Sequence, residues 1–450
     1  FSNKLGSKIS VTQNIAPGPT GTPIGGNLWK FRSNLFGLLN ESHQKYGDVI
    51  RFRILTEVFH LFIHPEHIKE ILILKKDNFS RSQAKSSQVL QAIVGKSVLT
   101  LEGPEWVERR KLLNPVFGRN GLNNSITPMK QSIDAFLEKI KENNVYQTSS
   151  FNSELTARIA GACFFGVANQ WEVEDLETSM ENILKHHWNR IKSILDLPHK
   201  LPTSSKKKFS NGMTYIQTVI EKILKDELTG DKPGLIHKLK NLEQTDPTFK
   251  HQNLIDESIT FFLAGHETTA TALNWCLWML AKHPEWQEKI REEANAYLNK
   301  ETIQIEDIEA LKITKAFFQE VIRLYPPVWL IERKVIEDTS IGNFVLSKNT
   351  SVIFSMLQTQ QHKEFWETPD QFQPSRFFDS TTRNPAYMPF GMGNHTCIGQ
   401  AFATLESTFC LALLMQRYQL IAQEPKFHPE FDVGITLRMK KPFEFTLRKV

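Results

Sequence analysis

The sequence predicts a mainly α protein with a small β portion, and three observations carry that reading. Residues 254–281 hold the longest helical apolar pattern, ended by His283-Pro284. At 1.5 Å per residue it would span roughly 40 Å, the width of a large globular unit. Strand-like patterning is confined to short runs. Of 450 residues, 40% are hydrophobic and 31 are phenylalanine, which suits a large core or a deep apolar pocket.

In chain order, Pro17-Gly-Pro-Thr-Gly-Thr-Pro23 is a turn-rich hinge, and 34–46 reads as a helix closed by Gly47. Residues 49–54 and 58–63 are β-branched and aromatic, which suggests a hairpin. Pro65 opens a helix through Leu72. The stretch 80–99 is mixed, and its apolar members Val89, Leu90, Ile93 and Val94 could equally be core. Trp106 and Arg110 stand at i, i+4 on one helix face, ordinarily a plain cation–aromatic contact. The apolar sets Ile133, Phe136, Ile140 and Leu155, Ile159, Cys163 read as packing. Residues 186–215 read as irregular, with Lys206-Lys207-Lys208 in a solvated loop.

The middle of the long helix reads Ala264-Gly265-His266-Glu267-Thr268-Thr269. Gly265 would leave room for a small ligand, and a threonine hydroxyl can bend a helix by competing for a backbone carbonyl. Asp256 and Glu267 interrupt the apolar run, so it is not a membrane span. Glu320 and Arg323 sit at i, i+3 on a helix at 313–324, stopped by Pro326-Pro327; most such pairs are surface salt bridges. Residues 341–356 alternate well enough for two strands, with Asn349 at their turn.

The stretch Pro389-Phe-Gly-Met-Gly-Asn-His-Thr-Cys-Ile-Gly399 organises the rest. Cys397 lies between a glycine-rich turn and a helix apolar at Phe402, Leu405, Phe409 and Leu413. A helix N-terminus stabilises a thiolate. Gly391 and Gly393 allow positive φ and close approach to a flat ligand, and Gly399 removes a side chain beside it. A lone cysteine is more often a buried apolar residue; presented this way, it also suits an axial bond to haem iron.

Phe390, Gly393, Cys397 and Gly399 form Phe-x-x-Gly-x-x-x-Cys-x-Gly, which closely resembles the haem-binding signature of the cytochrome P450 family. Four further motifs follow that family's order, so the resemblance covers about residues 106–399. It implies one large helical unit around a buried haem, residues 34–450, after an N-terminal segment and hinge at 1–33. It implies heme b, with Cys397 as the metal ligand. Trp106, Arg110, Arg333 and His395 would hold the propionates, and Ala264, Gly265, Phe390, Gly391 and Gly399 would lie against the ring. His395 occupies a position more often arginine, and histidine there resembles bacterial members. The stretch 264–269 matches the oxygen-activation motif, which makes Thr268 and Glu267 the catalytic, proton-delivering residues. Glu320 and Arg323 gain a partner in Arg376, within Phe372-Gln-Pro-Ser-Arg-Phe377, as a buried structural network under the cysteine loop. Val89 and Ile93, on the segment that closes over substrate, would line the pocket with Phe261, Phe262, Val328, Trp329, Leu330 and Ile435.

The four cysteines form no Cys-x-x-Cys pair, so neither a disulfide framework nor a cysteine zinc site is indicated, and a reducing interior fits best. A net charge of +5 is too mild to argue for nucleic acid, though a basic face for an acidic protein fits it. No run of 18 or more uncharged apolar residues occurs, and 1–16 has no signal-peptide core. A soluble, cytoplasmic monomer is expected; an anchor upstream of Phe1 stays open, because 17–23 resembles the hinge that follows such anchors.

The implied reaction inserts one oxygen atom of O2 into a hydrophobic small molecule: a fatty acid, terpenoid or steroid. Electrons would come from NAD(P)H through a separate ferredoxin or flavodoxin and its reductase, since the residues after Gly399 read as a helix and strands. Arg109 and Lys111 are the candidate docking charges, with ordinary solvated charges as the other reading. Two alternatives remain: a peroxide-using or hydroperoxide-rearranging haem-thiolate enzyme, and a non-catalytic haem sensor. The Glu267-Thr268 pair speaks against both.

Overall fold

The computed structural model describes residues 14–166, 173–192, 203–225, 234–379 and 384–450. The architecture is built around a central helix, His251–Lys282, buried on nearly every side. Its apolar residues go all round the wheel, which is what a helix through the middle of a large core requires. The helix Thr148–Ala160 runs along it. Trp275 fixes its C-terminal half to the last hairpin by donating its indole N–H to the Leu437 carbonyl at 2.9 Å.

The helix Gln400–Arg417 buries Phe402, Leu405, Phe409 and Leu413, as their spacing predicts, and packs on Pro284–Leu298. Glu293 on the latter accepts from the N–H groups of Ile313 (2.7 Å) and Thr314 (2.8 Å) at the start of Lys312–Leu324. A carboxylate there satisfies donors that a helix leaves unpaired and complements its dipole.

The main sheet runs Val49–Ile54, Glu57–Phe62, Ser351–Ser355, Leu330–Val335, Phe79–Ser80 in spatial order. The expected hairpin forms, and Glu57–Phe62 then pairs in parallel with Ser351–Ser355. Asn349 at the turn before that strand has φ 65, a conformation glycine takes freely and asparagine tolerates.

The stretch 186–215, expected to be irregular, needs correction at both ends, and 186–192 close the helix Val173–Lys192. Lys206-Lys207-Lys208 is not loop but the first turns of a helix, Ser204–Lys225, whose Met213, Ile216, Ile220 and Ile223 are buried; that apolar face outweighs the local run of charge. The centre of the expected irregular stretch, 193–202, lies outside the described residues. The mixed stretch 80–99 holds a helix, Lys85–Val94, closed by Gly95 at φ 57. The described part of the N-terminal segment is laced to the sheet edge. Arg51 N–H donates to the Pro17 carbonyl at 2.8 Å, and the Arg53 guanidinium donates to the carbonyls of Thr22 (3.0 Å) and Pro23 (2.6 Å). No described helix is long and apolar enough to cross a membrane.

Candidate active site

The cysteine loop is set by two glycines with positive φ, Gly391 at 78 and Gly393 at 75. A Cβ on Gly393 would stand 2.7 Å from the Leu72 carbonyl oxygen, so the loop can lie on residues 70–74 only without one. The Cys397 N–H closes the loop by donating to the Phe390 carbonyl at 3.0 Å, and the helix begins at Gln400. Gly399 was expected to relieve a collision. Within the protein its Cβ would make only ordinary contacts, 3.9 Å to Phe117 and 4.0 Å to the Cys397 sulfur.

Burial pushes the Cys397 thiol up, opposed by the Gly399 N–H and the Arg110 charge. The residue nonetheless keeps accessible surface. Both hold together if Cys397 lines an internal cleft. Cys163, Cys276 and Cys410 are buried outright, with thiols pushed well up by desolvation. The helix N-terminus alone therefore does not hold a free thiolate here; a cation at the sulfur would.

Ala264 is exposed in the middle of an otherwise buried helix, which marks the face the central helix turns to a cleft. Its neighbour Thr268 donates its hydroxyl to the Ala264 carbonyl at 2.7 Å. Gly265 was expected to make room for a ligand. Its missing side chain is instead filled by Phe164, whose ring would be 3.0 Å from a Cβ there. Glu267 does not turn to Thr268. Its carboxylate accepts from Thr436 (2.9 Å) and from the Arg438 guanidinium (Nε at 2.8 Å), joining the helix to the hairpin Phe431–Val433 and Leu437–Met439.

The expected pocket residues separate into two groups. Phe261 is buried and stacks on Phe117 with centroids 5.4 Å apart. Val89 and Ile93 are buried on Lys85–Val94, while Leu330 and Ile435 are half-buried and Val328 is exposed. Phe262 instead packs on Phe165 and His266. Trp329 is walled into a core cluster with Leu35, Leu39 and Ile50, donating its indole N–H to the Gly434 carbonyl at 2.9 Å.

Trp106 and His395 pack ring on ring, centroids 4.1 Å apart, and the Arg110 guanidinium lies 6.0 Å over Trp106. Arg333 is buried beside them, with its charge disfavoured by desolvation and held at a pKa of about 10. Sequence reasoning missed the further member, Arg81. Burial and the charges of Arg333 and Arg110 bring it down to about 9. Arg81 donates to the carbonyls of Val98 (3.3 Å) and Leu101, and its Nε has no partner among the described residues. Burial, with Arg81 and Arg333 nearby, holds His395 neutral, down to about 3, and its Nδ1 is also unpartnered.

One acid near this group, Glu102, is spent on the Ser80 hydroxyl (2.7 Å), the Ser82 hydroxyl (2.7 Å) and the Arg81 N–H (2.7 Å). Three arginines, Arg81 with an unpartnered Nε, Arg110 and Arg333, outnumber the two acids beside them, Glu102 and Glu332, the latter accepting from the Ser86 N–H at 3.0 Å, and so form a cradle for a dianion. A flat dicarboxylate macrocycle carrying a metal for Cys397 fits this donor set.

Glu320 and Arg323 are both fully buried and paired twice, at 2.6 and 2.8 Å, and Arg376 Nε stands 3.5 Å from Glu320. Arg323 also donates to the carbonyls of Gln360 (3.0 Å), Pro369 (2.7 Å) and Gln371 (3.2 Å). Gln360 carries the connection onward. Its amide donates to the Arg323 carbonyl at 3.1 Å, and its oxygen accepts from Met388 N–H at 3.1 Å, three residues before Gly391.

Two further carboxylates were not read from the sequence. Glu406, nearly two turns into the cysteine helix, is fully buried beside Thr269 and pushed well up by desolvation. Glu257 is buried at the other end of the central helix, pushed up to about 7, and pairs with Arg109 at 2.7 Å. Arg109 also lies 4.6 Å over the Phe249 ring. It is thus committed inward and is not a docking charge, whereas Lys111 is exposed.

The family model described as Cytochrome P450 matches residues 16–447. The chain is similar to Cytochrome P450 709B1 of Arabidopsis thaliana, 29% identical over 87% of this chain and 80% of the relative. It is similar to Echinocystic acid 23-monooxygenase of Saponaria officinalis, 30% identical over 77% of this chain and 72% of the relative. Pentalenene oxygenase of Streptomyces avermitilis is 23% identical over 95% of this chain and 94% of its own length.

Proposed function

This chain belongs to the cytochrome P450 family of haem monooxygenases, and from that premise we propose that it hydroxylates apolar carbon skeletons of the terpenoid class with electrons from a separate protein donor. The observation that carries this reading is the accessible Cys397 beside the Arg110 charge and the cation cradle, with Phe117 next to Gly399 and stacked on Phe261 of the central helix. Relatives named for pentalenene and echinocystic acid put terpenoids ahead of fatty acids and steroids.

In this reading the Cys397 sulfur would hold the haem iron, and Trp106, Arg81, Arg110, Arg333 and His395 would hold the propionates. Heme b, when bound, supplies oxygen activation and insertion, with a thiolate ligand favouring O–O cleavage. The chain's own task is to exclude water and move protons. Phe261, Phe117 and Phe164 form a buried aromatic cluster beside Gly399, an apolar surface that would keep water from the site. Thr268 exchanges its bond to the Ala264 carbonyl for one to a water or substrate oxygen, and so presents a proton inside an apolar cleft. Glu267 reaches solvent through the partly exposed Arg438.

The donor is a ferredoxin or flavodoxin with its reductase, which Lys111 helps to dock. The test combines purified protein, a ferredoxin pair and NAD(P)H with a terpenoid and fatty-acid panel. The expected outcome is terpenoid product heavier by one oxygen, with reduction slowed by salt and by Lys111→Glu. Turnover with hydrogen peroxide alone, and none with the electron pair, would favour the peroxide-using alternative.

A further inference from the structure

We propose that His43, Asp48 and His362 form a binding site for a divalent transition metal of the zinc class, apart from the haem site. The helix Leu35–Tyr46 ends at Gly47, whose φ of 84 turns the chain so that Asp48 returns beside the last helical turn. The segment after Met356–Thr359 brings His362 to the same place across 314 residues of sequence. Asp48 Oδ1 lies 3.0 Å from His43 Nε2 and 3.1 Å from His362 Nε2. Donor atoms of all three fall within 4.8 Å of one another.

A tetrahedral zinc with ligands at about 2.0–2.1 Å has ligand–ligand edges of about 3.3–3.4 Å. The two carboxylate–imidazole separations are within a few tenths of an ångström of that. Two imidazoles and a carboxylate select zinc, nickel or copper over magnesium or calcium. The side chains of His43, Asp48 and His362 are 27%, 29% and 10% exposed, so an ion has access and a water can fill the fourth position.

No Lys or Arg among the described residues ion-pairs with Asp48 to compete for its charge. Around the site stand His64, 5.6 Å from His362 by ring centroids, and Glu364, 3.5 Å from the His64 Nε2. The metal would replace the Nε2–H of each imidazole, which then keeps its proton on Nδ1. For His362 this gives up one long bond, 3.3 Å from the Glu364 N–H.

Such a site would clip the first long helix to the segment that carries Gln360 and Gln361, whose amides donate to the carbonyls of Arg323 and Leu324. Binding to the folded state alone raises stability. The experiment uses untagged, haem-loaded protein, whose Cys397 is occupied, stripped with EDTA and titrated with zinc by calorimetry. Saturable one-to-one binding and a higher unfolding temperature are expected. His43→Gln and His362→Gln should each weaken binding at least about tenfold and leave the carbon monoxide spectrum unchanged. Asp48→Asn, close to isosteric, supplies the same test where a histidine variant folds poorly. Failure of wild-type protein to bind zinc saturably, or equal affinity in these variants, would overturn the proposal.

Discussion

Glu320→Ala should leave little folded, haem-loaded protein. The substitution strands the Arg323 guanidinium, fully buried, with its carboxylate partner gone. Breaking a buried ion pair by removing one partner costs about 3–5 kcal/mol, a large part of the roughly 5–15 kcal/mol that holds a typical domain together. The loss would spread in a definite direction. Gln373 N–H loses its acceptor at 2.8 Å, and Arg323, freed from Glu320, no longer fixes the carbonyl of Gln360, the residue that holds Met388 ahead of Gly391. Denaturant midpoint and haem content should fall together. A variant with wild-type midpoint and haem content would show that the network does not support the cysteine loop.

Thr268→Ala should retain haem and substrate binding yet waste its electrons. Proton delivery of this kind contributes about 10²–10⁴-fold, and the lost hydroxyl sits beside Ala264 on the face the central helix turns to the cleft. Consumption of NAD(P)H should continue, with hydrogen peroxide formed in place of product. The competing role is mechanical, since the same hydroxyl bonds a backbone carbonyl and bends the helix. Thr268→Ser keeps a hydroxyl and should restore coupling, whereas Thr268→Val, which keeps the shape, should not. Unchanged product per electron pair in Thr268→Ala would move proton delivery to another group.

What the sequence made legible was local. Gly391 and Gly393 needed positive φ, and Asn349 could stand in for a turn glycine, because such demands are written within a few residues. The helices of Phe402 to Leu413 and of 254–281 were legible from periodicity. Partners far apart in sequence were not. Arg81 is a lone arginine until Arg333 and His395 come beside it. Gly265 reads as room for a ligand until Phe164, about a hundred residues away, fills the space. Glu267 reads as a proton relay, and only the fold reveals its bond to Arg438. Trp329 and Val328 show the limit most sharply. They are neighbours in the bend ahead of the strand Leu330–Val335, where no periodicity tells which one the chain turns inward, and one is core while the other is exposed.

The central claim is that Cys397 is the sulfur that holds the haem iron, and the reduced, carbon monoxide-bound spectrum tests it most directly. The wild-type protein should show the red-shifted Soret band of thiolate ligation. Cys163→Ser, Cys276→Ser and Cys410→Ser should keep it, since those sulfurs are buried in packing. Cys397→Ser should lose it. A Cys397→Ser protein that kept the band would contradict the account at its foundation.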